Sequence, residues 1–234
     1  MKAVLWDVDG TLLDFLTAEK AAIQALFRKY FFRDCPDESI ARYSVINRGY
    51  WEKLERYEMT KSEILVKRFE DFFAQEGLDV SRAAAFNAEY QIALGDTVAY
   101  CDNSLELVRS LHGKVKQYVI SNGTVIAQTK KLKNSGFDKW VDGVFLSEYL
   151  GYEKPDERFF DAVLEDIAPL TRDDCLIVGD SLTSDMEGGR RAGICTVWYN
   201  PERKAKKADV PTNYEIHDLH EIVGILKEKQ FIGK

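Results

Sequence analysis

A continuous apolar run opens the chain and ends in two carboxylates. Residues 3–6 read Ala-Val-Leu-Trp, and Asp7, Asp9 and Gly10 follow within four positions. An unbroken apolar run of this kind predicts a strand that is buried on both faces, as in a parallel sheet covered by helices. We therefore expect both carboxylates at the carboxyl end of a central strand.

The next segment, about eighty residues long, has helical periodicity. Its apolar stripes predict four amphipathic helices with short connections, which together form a small bundle. A capping box at Thr60 and Glu63 begins the third helix, and Gly77 ends it. The stripes are Ile23, Leu26, Phe27 and Tyr30; Ile40, Tyr43, Asn47, Trp51 and Leu54; Leu65, Phe69, Phe72 and Phe73; and Phe86, Tyr90 and Leu94.

Strands and helices alternate in the rest of the chain. Apolar runs at 117–120, 143–146, 175–178 and 196–199 predict strands, and a closing helix is expected from His217 to Lys229. This order predicts an α/β fold, a Rossmann-like doubly wound parallel sheet with a helical bundle inserted after its first strand.

The predicted organisation is a core with one inserted domain. We expect residues 1–14 and 98–234 to form the core and residues 15–97 to form a cap above the strand ends. A cap in that position can exclude water from the carboxylates and select the substrate.

Composition excludes several classes of partner. The 234 residues carry a formal net charge of −7, and no basic run resembles a nucleic-acid footprint. No apolar stretch reaches the length of a membrane span, and Met1 and Lys2 lead directly into the first strand. We expect no nucleic-acid polymer and no membrane as a partner. A short basic cluster is expected to form a solvated loop: Arg203, Lys204, Lys206 and Lys207.

The cysteines indicate a reducing compartment. None of them has the close spacing of metal ligands, and two fall inside apolar strand patterns. We expect reduced, mostly buried thiols and a cytoplasmic location. The four residues are Cys35, Cys101, Cys175 and Cys195.

Four polar clusters follow predicted strands. Parallel strands would gather them at one edge of the sheet, where ligands of open α/β folds bind. Such a group of residues can support phosphoryl transfer to a carboxylate, followed by hydrolysis. The clusters are Asp7 with Asp9, Ser121 with Asn122, Lys154, and Asp180 with Asp185.

The carboxylates divide the chemical roles among them. Asp7 is the expected nucleophile, whereas Asp9 would protonate the leaving alkoxide and later deprotonate the hydrolytic water. Two carboxylates this close repel each other unless a cation lies between them, and oxygen ligands suit Mg²⁺. We predict Asp7, Asp9 and Asp180 as metal ligands. Asp185, about one helical turn further on, would hold a metal-bound water.

The phosphate group requires donors and positive charge. Ser121 and the main-chain amides of Asn122 and Gly123, near a helix N-terminus, can donate to phosphate oxygens. Lys154 would supply a fixed charge that offsets the charge on the nucleophile and on the transferring group.

Each cluster also has a purely structural interpretation. Asp7 and Asp9 could cap a helix that begins near Leu12, Ser121 and Asn122 could be an N-cap, and Lys154 could be a surface lysine. All four clusters occur together, in this order, near strand ends. Their joint occurrence favours the catalytic interpretation.

These residues resemble the motifs of the haloacid dehalogenase-like superfamily of aspartate-nucleophile phosphatases. The matching segments are Asp7-Val8-Asp9-Gly10-Thr11, Ser121-Asn122-Gly123, Lys154-Pro155 and Gly179-Asp180-Ser181-Leu182-Thr183-Ser184-Asp185. The resemblance implies a Rossmann-like core, a Mg²⁺ requirement and the roles given above. It also implies that the helical insertion is a type I cap.

Further segments resemble the house-cleaning pyrimidine 5′-nucleotidase branch of that superfamily. They include the stretch from Tyr43 to Trp51, Met59-Thr60, Arg68-Phe69, Gly188-Gly189 and Trp198-Tyr199-Asn200. The resemblance implies a small phosphorylated metabolite as substrate, namely a pyrimidine nucleoside monophosphate. Asn47 could pair with the edge of the base and Trp51 could stack on it, although both could instead pack within the bundle.

The functional hypothesis is thus a Mg²⁺-dependent phosphomonoesterase. A sugar-phosphate phosphatase or a phosphomutase is the alternative among enzymes, whereas a dehalogenase would need no acid at the position of Asp9. A non-catalytic, phosphate-sensing module of the receiver type is the alternative from another class. That module would hold a long-lived aspartyl-phosphate with negligible turnover.

Overall fold

The computed structural model describes residues 2–205 and 210–233. Arg203 and Lys204 of the basic cluster are exposed, as expected of a solvated loop. Lys206, Lys207 and Met1 lie outside the described residues. Within the described part of the chain, no helix is both long enough and apolar enough to cross a membrane.

A six-stranded sheet, parallel throughout, forms the core. Its strand order is β3-β2-β1-β4-β5-β6, so the chain proceeds from the central β1 to one edge and then crosses to the other side. This order confirms the predicted doubly wound α/β fold. The strands are β1 (Ala3–Trp6), β2 (Lys116–Ser121), β3 (Gly143–Leu146), β4 (Cys175–Gly179), β5 (Cys195–Tyr199) and β6 (Tyr214–Ile216).

Strand β1 is buried on both faces, as its apolar run predicts. Val4 and Trp6 pack into the apolar cluster on one face of the sheet. Ala3 and Leu5 pack into the cluster on the other face. Alternate side chains of a strand point to opposite faces, so four consecutive buried residues require a cover on each side.

Among the residues that the structure describes, ten α-helices surround the sheet or form the insertion. The bundle α1–α4 lies between β1 and α5, with Thr60 and Glu63 forming the predicted capping box of α3. Gly77 follows α3 with a φ of +65°. The helices are α1 (Phe15–Phe31), α2 (Asp37–Glu55), α3 (Lys61–Gln75), α4 (Ala83–Ala93), α5 (Ser104–Leu111), α6 (Val125–Ser135), α7 (Ser147–Leu150), α8 (Glu157–Asp166), α9 (Glu187–Ala192) and α10 (Ile222–Glu228).

An aromatic cluster holds the bundle together. Phe69 stacks on Tyr43, with ring centroids 4.8 Å apart, and meets Phe86 at 5.0 Å. All three rings are buried. Large aromatic side chains from three helices therefore pack against one another in the core of the bundle. The division into residues 1–14 with 98–234 and residues 15–97 stays a prediction.

The C-terminal region differs from the sequence-based expectation. Residues 214–216 form the short edge strand β6, and α10 begins at Ile222 rather than at His217. Asp218 and Glu221 form a capping box around an intervening 3₁₀ turn, which delays the helix. A three-residue strand has too few positions to display a period, and only its pairing with β5 identifies it.

All four cysteines are free thiols. Cys175 lies in β4 and Cys195 in β5, as their apolar surroundings predict. Cys35 and Cys175 are buried, whereas Cys101 and Cys195 are partly exposed.

Candidate active site

Three carboxylates meet at the carboxyl edge of the central strands. One oxygen from each of Asp7, Asp180 and Asp185 lies within 4.8 Å of the others. Strands β1 and β4 are adjacent and in register, and the main-chain N–H of Asp7 donates to the carbonyl of Val178 at 2.9 Å. Parallel pairing therefore brings together acidic residues from opposite ends of the chain.

Two glycines permit this close approach. Gly10 has a φ of +89°, and a Cβ there would lie 2.6 Å from Oδ2 of Asp180. A Cβ on Gly179 would lie 2.3 Å from Cγ of Asp185. Any side chain at either position would displace a carboxylate, which gives a physical reason for both glycines.

Lys154 is buried beneath the carboxylates, with 1% of its surface exposed. Its ammonium group donates to Asp7 at 2.8 Å and to Asp185 at 2.6 Å, and it also reaches the carbonyl of Ile120 at 3.1 Å. All three ammonium protons thus have acceptors. The surface-lysine interpretation of this residue is wrong.

The electrostatics of this group follow from burial and crowding. Desolvation and the neighbouring charge of Asp185 raise the pKa of Asp7 to about 7, although Lys154 opposes that shift. Desolvation in the cleft, Asp7 and Asp185 also raise the pKa of Asp180. Burial by itself would lower the pKa of Lys154, but Asp185 and Asp7 outweigh it and raise that pKa. The carboxylates carry more negative charge than one lysine offsets.

The second predicted cluster borders the same group. Ser121 ends β2, and its hydroxyl accepts from the N–H of Gly123 at 3.0 Å. The side chain of Asn122 makes two 2.8 Å hydrogen bonds with the backbone of Lys154, one in each direction. Thr124, rather than Ser121 or Asn122, caps α6. Ser121 and Asn122 are therefore not the N-cap, and Asn122 holds the loop that carries Lys154.

Asp9 lies outside the group of three carboxylates. Its side chain accepts from Gln128 at 2.6 Å and from Lys131 at 2.5 Å, both on α6. Asp14 caps α1, so neither Asp7 nor Asp9 serves as its cap. Sequence reasoning missed Gln128 and Lys131. Their three-residue spacing on one helix face was the available signal, but such polar pairs are common on solvated surfaces.

The inserted helices form the other wall of a cavity of about 790 Å³ over the carboxylates. This volume lies within the range of small-molecule sites. One face of α2, with positions spaced by three and four residues, lines the cavity. That face consists of Ser44, Asn47, Arg48, Trp51, Glu52 and Glu55.

The two predicted specificity residues lie on this face. Asn47 is buried, and its amide donates to Glu19 at 2.9 Å and accepts from Arg68 at 2.6 Å. Ser44 and Tyr90 also donate to Glu19, whose pKa is raised chiefly by desolvation. Trp51 lies along the cavity and is partly exposed.

The bundle contacts the core close to the candidate site. Thr183, between Asp180 and Asp185 in sequence, donates to Glu55 at the end of α2 at 2.6 Å. Burial raises the pKa of Glu55 to about 7. Lys61, at the start of α3, donates to Ser147 at 2.5 Å.

The donor set fits a hard divalent cation. Three carboxylates supply only oxygen atoms, and the raised pKa values of Asp7 and Asp180 show that their charges are incompletely neutralised. Mg²⁺ is bound in proteins by one or two carboxylates together with waters and substrate phosphates. The open side of this group faces the cavity.

This fold and this site define a Rossmann-like hydrolase with an acidic centre at the carboxyl edge of its sheet. The family model for haloacid dehalogenase-like hydrolases matches residues 1–193. The chain therefore belongs to the haloacid dehalogenase-like hydrolase family, as its four motifs indicate.

Known relatives extend the similarity over nearly the whole chain. The HAD-hydrolase YfnB of Bacillus subtilis is 33% identical, with 96% of this chain and 95% of the relative covered. Its solved structure, bound to magnesium, covers 97% of this chain and 98% of its own, with a TM-score of 0.90. The pyrimidine 5′-nucleotidase PynA of Streptococcus pneumoniae is 32% identical over 100% of this chain and 98% of the relative. The pyrimidine 5′-nucleotidase YjjG of Escherichia coli is 25% identical over 95% and 96%.

Proposed function

We propose that this hydrolase is a Mg²⁺-dependent phosphomonoesterase that acts on pyrimidine nucleoside 5′-monophosphates through an aspartyl-phosphate. The observation that carries the proposal is the buried contact of Lys154 with Asp7, inside a group of three carboxylates. A nucleophilic carboxylate with a fixed cation on one side and an open cavity on the other is suited to attack phosphorus.

Asp7 is the nucleophile in this proposal. Its carboxylate oxygen attacks phosphorus, the bond from phosphorus to the substrate oxygen breaks, and the alkoxide leaves into the cavity. Lys154 offsets negative charge on Asp7 and on the transferring group. Ser121 and the main-chain N–H groups that follow it hold the phosphate oxygens.

Asp9 acts as acid and then as base. It protonates the departing alkoxide, and it later takes a proton from the water that cleaves the aspartyl-phosphate. Lys131 and Gln128 fix the orientation of its carboxylate from α6. The same residue thereby serves both half-reactions.

Asp7, Asp180 and Asp185 would hold the Mg²⁺, with Asp185 acting through a bound water as the sequence suggests. When bound, the ion supplies positive charge that draws the phosphate towards Asp7 and offsets repulsion among the carboxylates. A contribution of Asp9 as a further ligand stays a prediction. Its carboxylate is directed to Lys131 and Gln128 in this structure.

The substrate class rests on the cavity and on the relatives. A cavity of about 790 Å³ accommodates a nucleoside beside the phosphate site, and the PynA and YjjG relatives are pyrimidine 5′-nucleotidases. Trp51 offers a ring on which a base can stack. A metabolite of this kind and four unpaired thiols fit a cytoplasmic enzyme.

The proposal is tested by one variant and one substrate panel. Purified Asp7→Asn protein should release no phosphate from any substrate, and normal turnover would refute the nucleophile assignment. The wild type, assayed with Mg²⁺ against UMP, CMP, AMP and several sugar phosphates, should have its highest kcat/KM for UMP and CMP. A clear preference for hexose phosphates would remove the nucleotidase proposal. Transfer to a bisphosphate rather than release to water would indicate a mutase.

A further inference from the structure

The amide of Asn47 is already occupied at both ends. Its nitrogen donates to Glu19 and its oxygen accepts from Arg68, and both partners have 1% of their surface exposed. These two hydrogen bonds fix the position of Asn47 in the wall of the cavity. A residue that recognises the substrate needs free hydrogen-bonding capacity on the cavity side, and Asn47 keeps only one amide N–H and one lone pair of its oxygen outside these two bonds.

Arg48, the next residue of α2, has that capacity. It lines the cavity and is exposed, and within residues 2–205 and 210–233 its guanidinium has no hydrogen-bond, ion-pair or ring partner. Every other cation along the described cavity wall has a partner. These pairs are Arg68 with Asn47, Lys131 with Asp9, Lys154 with Asp7, and Lys204 with Glu202.

The helix sets the distance of Arg48 from the reacting phosphate. Glu55, at the C-terminal end of α2, bonds Thr183 beside the carboxylate group. Trp51 is about one turn before Glu55, and Arg48 is about two turns before it, or about 10 Å along the axis. Proceeding from the phosphate end, the helix face therefore presents the ring of Trp51 and then the guanidinium of Arg48, which has no partner among the described residues.

We infer that Arg48 donates to the 2-carbonyl of a pyrimidine base that stacks on Trp51, and thereby recognises the base of the monophosphate. The inference rests on the proposed nucleotidase function and names a residue that contacts the base.

The chemistry of the bases fits this recognition. Uracil, cytosine and thymine all have a carbonyl at position 2, beside the glycosidic bond. A guanidinium donates but cannot accept, so it is complementary to this carbonyl oxygen. One donor can thus bind every pyrimidine base without distinguishing uracil, cytosine and thymine. A substrate that lacks the base leaves the guanidinium without this partner.

The test compares substrates that share the phosphate but differ in the base. The kcat/KM for UMP, CMP, AMP and ribose 5-phosphate is measured for the wild type, Arg48→Met and Arg48→Lys. We expect Arg48→Met to lower the ratio of kcat/KM for UMP to that for ribose 5-phosphate about tenfold or more, with an equal effect for CMP. Arg48→Lys, which keeps the charge but loses the planar fork, should restore part of that ratio.

The matched control is Lys53→Met, which removes a cation from the same helix at a position that does not line the cavity. It should leave the ratio within about twofold of the wild type, because a charge that does not line the cavity has little effect on the substrate. An unchanged ratio in Arg48→Met would overturn the inference while the nucleotidase function stands. An equal loss of kcat/KM for UMP and for ribose 5-phosphate would also overturn the inference, since Arg48 would then act on the sugar phosphate. A wild type without preference for UMP and CMP would overturn both proposals.

Discussion

The ammonium nitrogen of Lys154 lies 2.8 Å from Oδ1 of Asp7, although the two residues are 147 positions apart in sequence. Both are buried, and the same nitrogen also bonds Asp185. A buried cation that serves two carboxylates is strongly stabilised only while both partners are present. This contact links the candidate chemistry to the stability of the site.

Replacing Lys154 by a neutral side chain of similar volume should reduce turnover. Lys154→Met removes the charge opposite the nucleophile, and we expect kcat to fall at least about 10²–10³-fold. Steady-state phosphate release, together with circular dichroism to verify folding, measures the effect. Lys133→Met, at an exposed position of α6, is the control and should behave as the wild type. A folded Lys154→Met protein with kcat within about tenfold of the wild type would contradict the role assigned to this residue.

Asp9→Asn should separate the two half-reactions. With p-nitrophenyl phosphate the leaving group needs no proton, so Asp7 can still be phosphorylated, whereas hydrolysis lacks its base. We expect a burst of p-nitrophenolate and a phosphorylated protein in the mass spectrum of an acid-quenched sample. The double variant Asp7→Asn with Asp9→Asn should show neither. Steady turnover of Asp9→Asn without a burst would exclude Asp9 as the base.

Magnesium should stabilise the folded protein against heat. A cation that binds the three crowded carboxylates only in the native state adds about 2.7 kcal/mol at a concentration of 100 Kd. For a chain of this size we expect Tm to rise by about 5–10 °C. The shift, measured by differential scanning fluorimetry, should be much smaller in Asp180→Asn and unchanged in Asp138→Asn, an exposed carboxylate on the core. An equal shift in all three proteins would place the ion elsewhere.

Gly10→Ala should weaken the metal site. Its φ of +89° strains any L side chain, and the new Cβ would lie 2.6 Å from Oδ2 of Asp180. We expect a loss of about 1–3 kcal/mol of stability and a higher Mg²⁺ concentration for half-maximal activity. Gly224→Ala in α10, where a Cβ meets nothing within 4 Å, is the matched control and should be neutral or stabilising. Identical Mg²⁺ dependence in both variants would contradict this account.

The burial of Glu55 should make stability depend on pH. Burial raises the pKa of Glu55 from 4.5 to about 7, so the folded state binds a proton that the unfolded state releases in this interval. The resulting stabilisation is fully present below the unfolded pKa and is lost as pH rises through about 7. Between about pH 5 and pH 8, Tm should therefore fall by about 2–4 °C more in the wild type than in Glu55→Gln. Glu52→Gln, one turn away and exposed, should retain the dependence of the wild type.

The local sequence pattern predicts some elements of the fold correctly and misses others. The apolar run of β1 predicts a strand buried on both faces, and the capping box at Thr60 fixes the start of α3; both are confirmed. The short strand β6 was missed, because three residues carry no period and pairing with β5 defines it. Local pattern therefore identifies elements whose sequence is long enough to repeat.

Lys154 marks the limit of that reasoning. A lysine is exposed in most proteins, and only the approach of β1, β2 and the loop that Asn122 holds buries this one. Lys131 was overlooked for the same reason. The sequence alone does not show that this basic residue of α6 faces Asp9. Asn47 was a candidate for contact with the base, but Glu19 and Arg68, distant in sequence, occupy its amide.

The sequence by itself determined the parallel sheet, the helical insertion and the four strand-end clusters, because apolar period and motif spacing are properties of short segments. Tertiary structure alone decided which charges are buried, which are paired and which remain free. Pairing depends on distances between segments far apart in the chain. The bond between Lys154 and Asp7, and the lack of a partner for Arg48 in the part of the chain that the structure describes, are therefore properties of the fold alone.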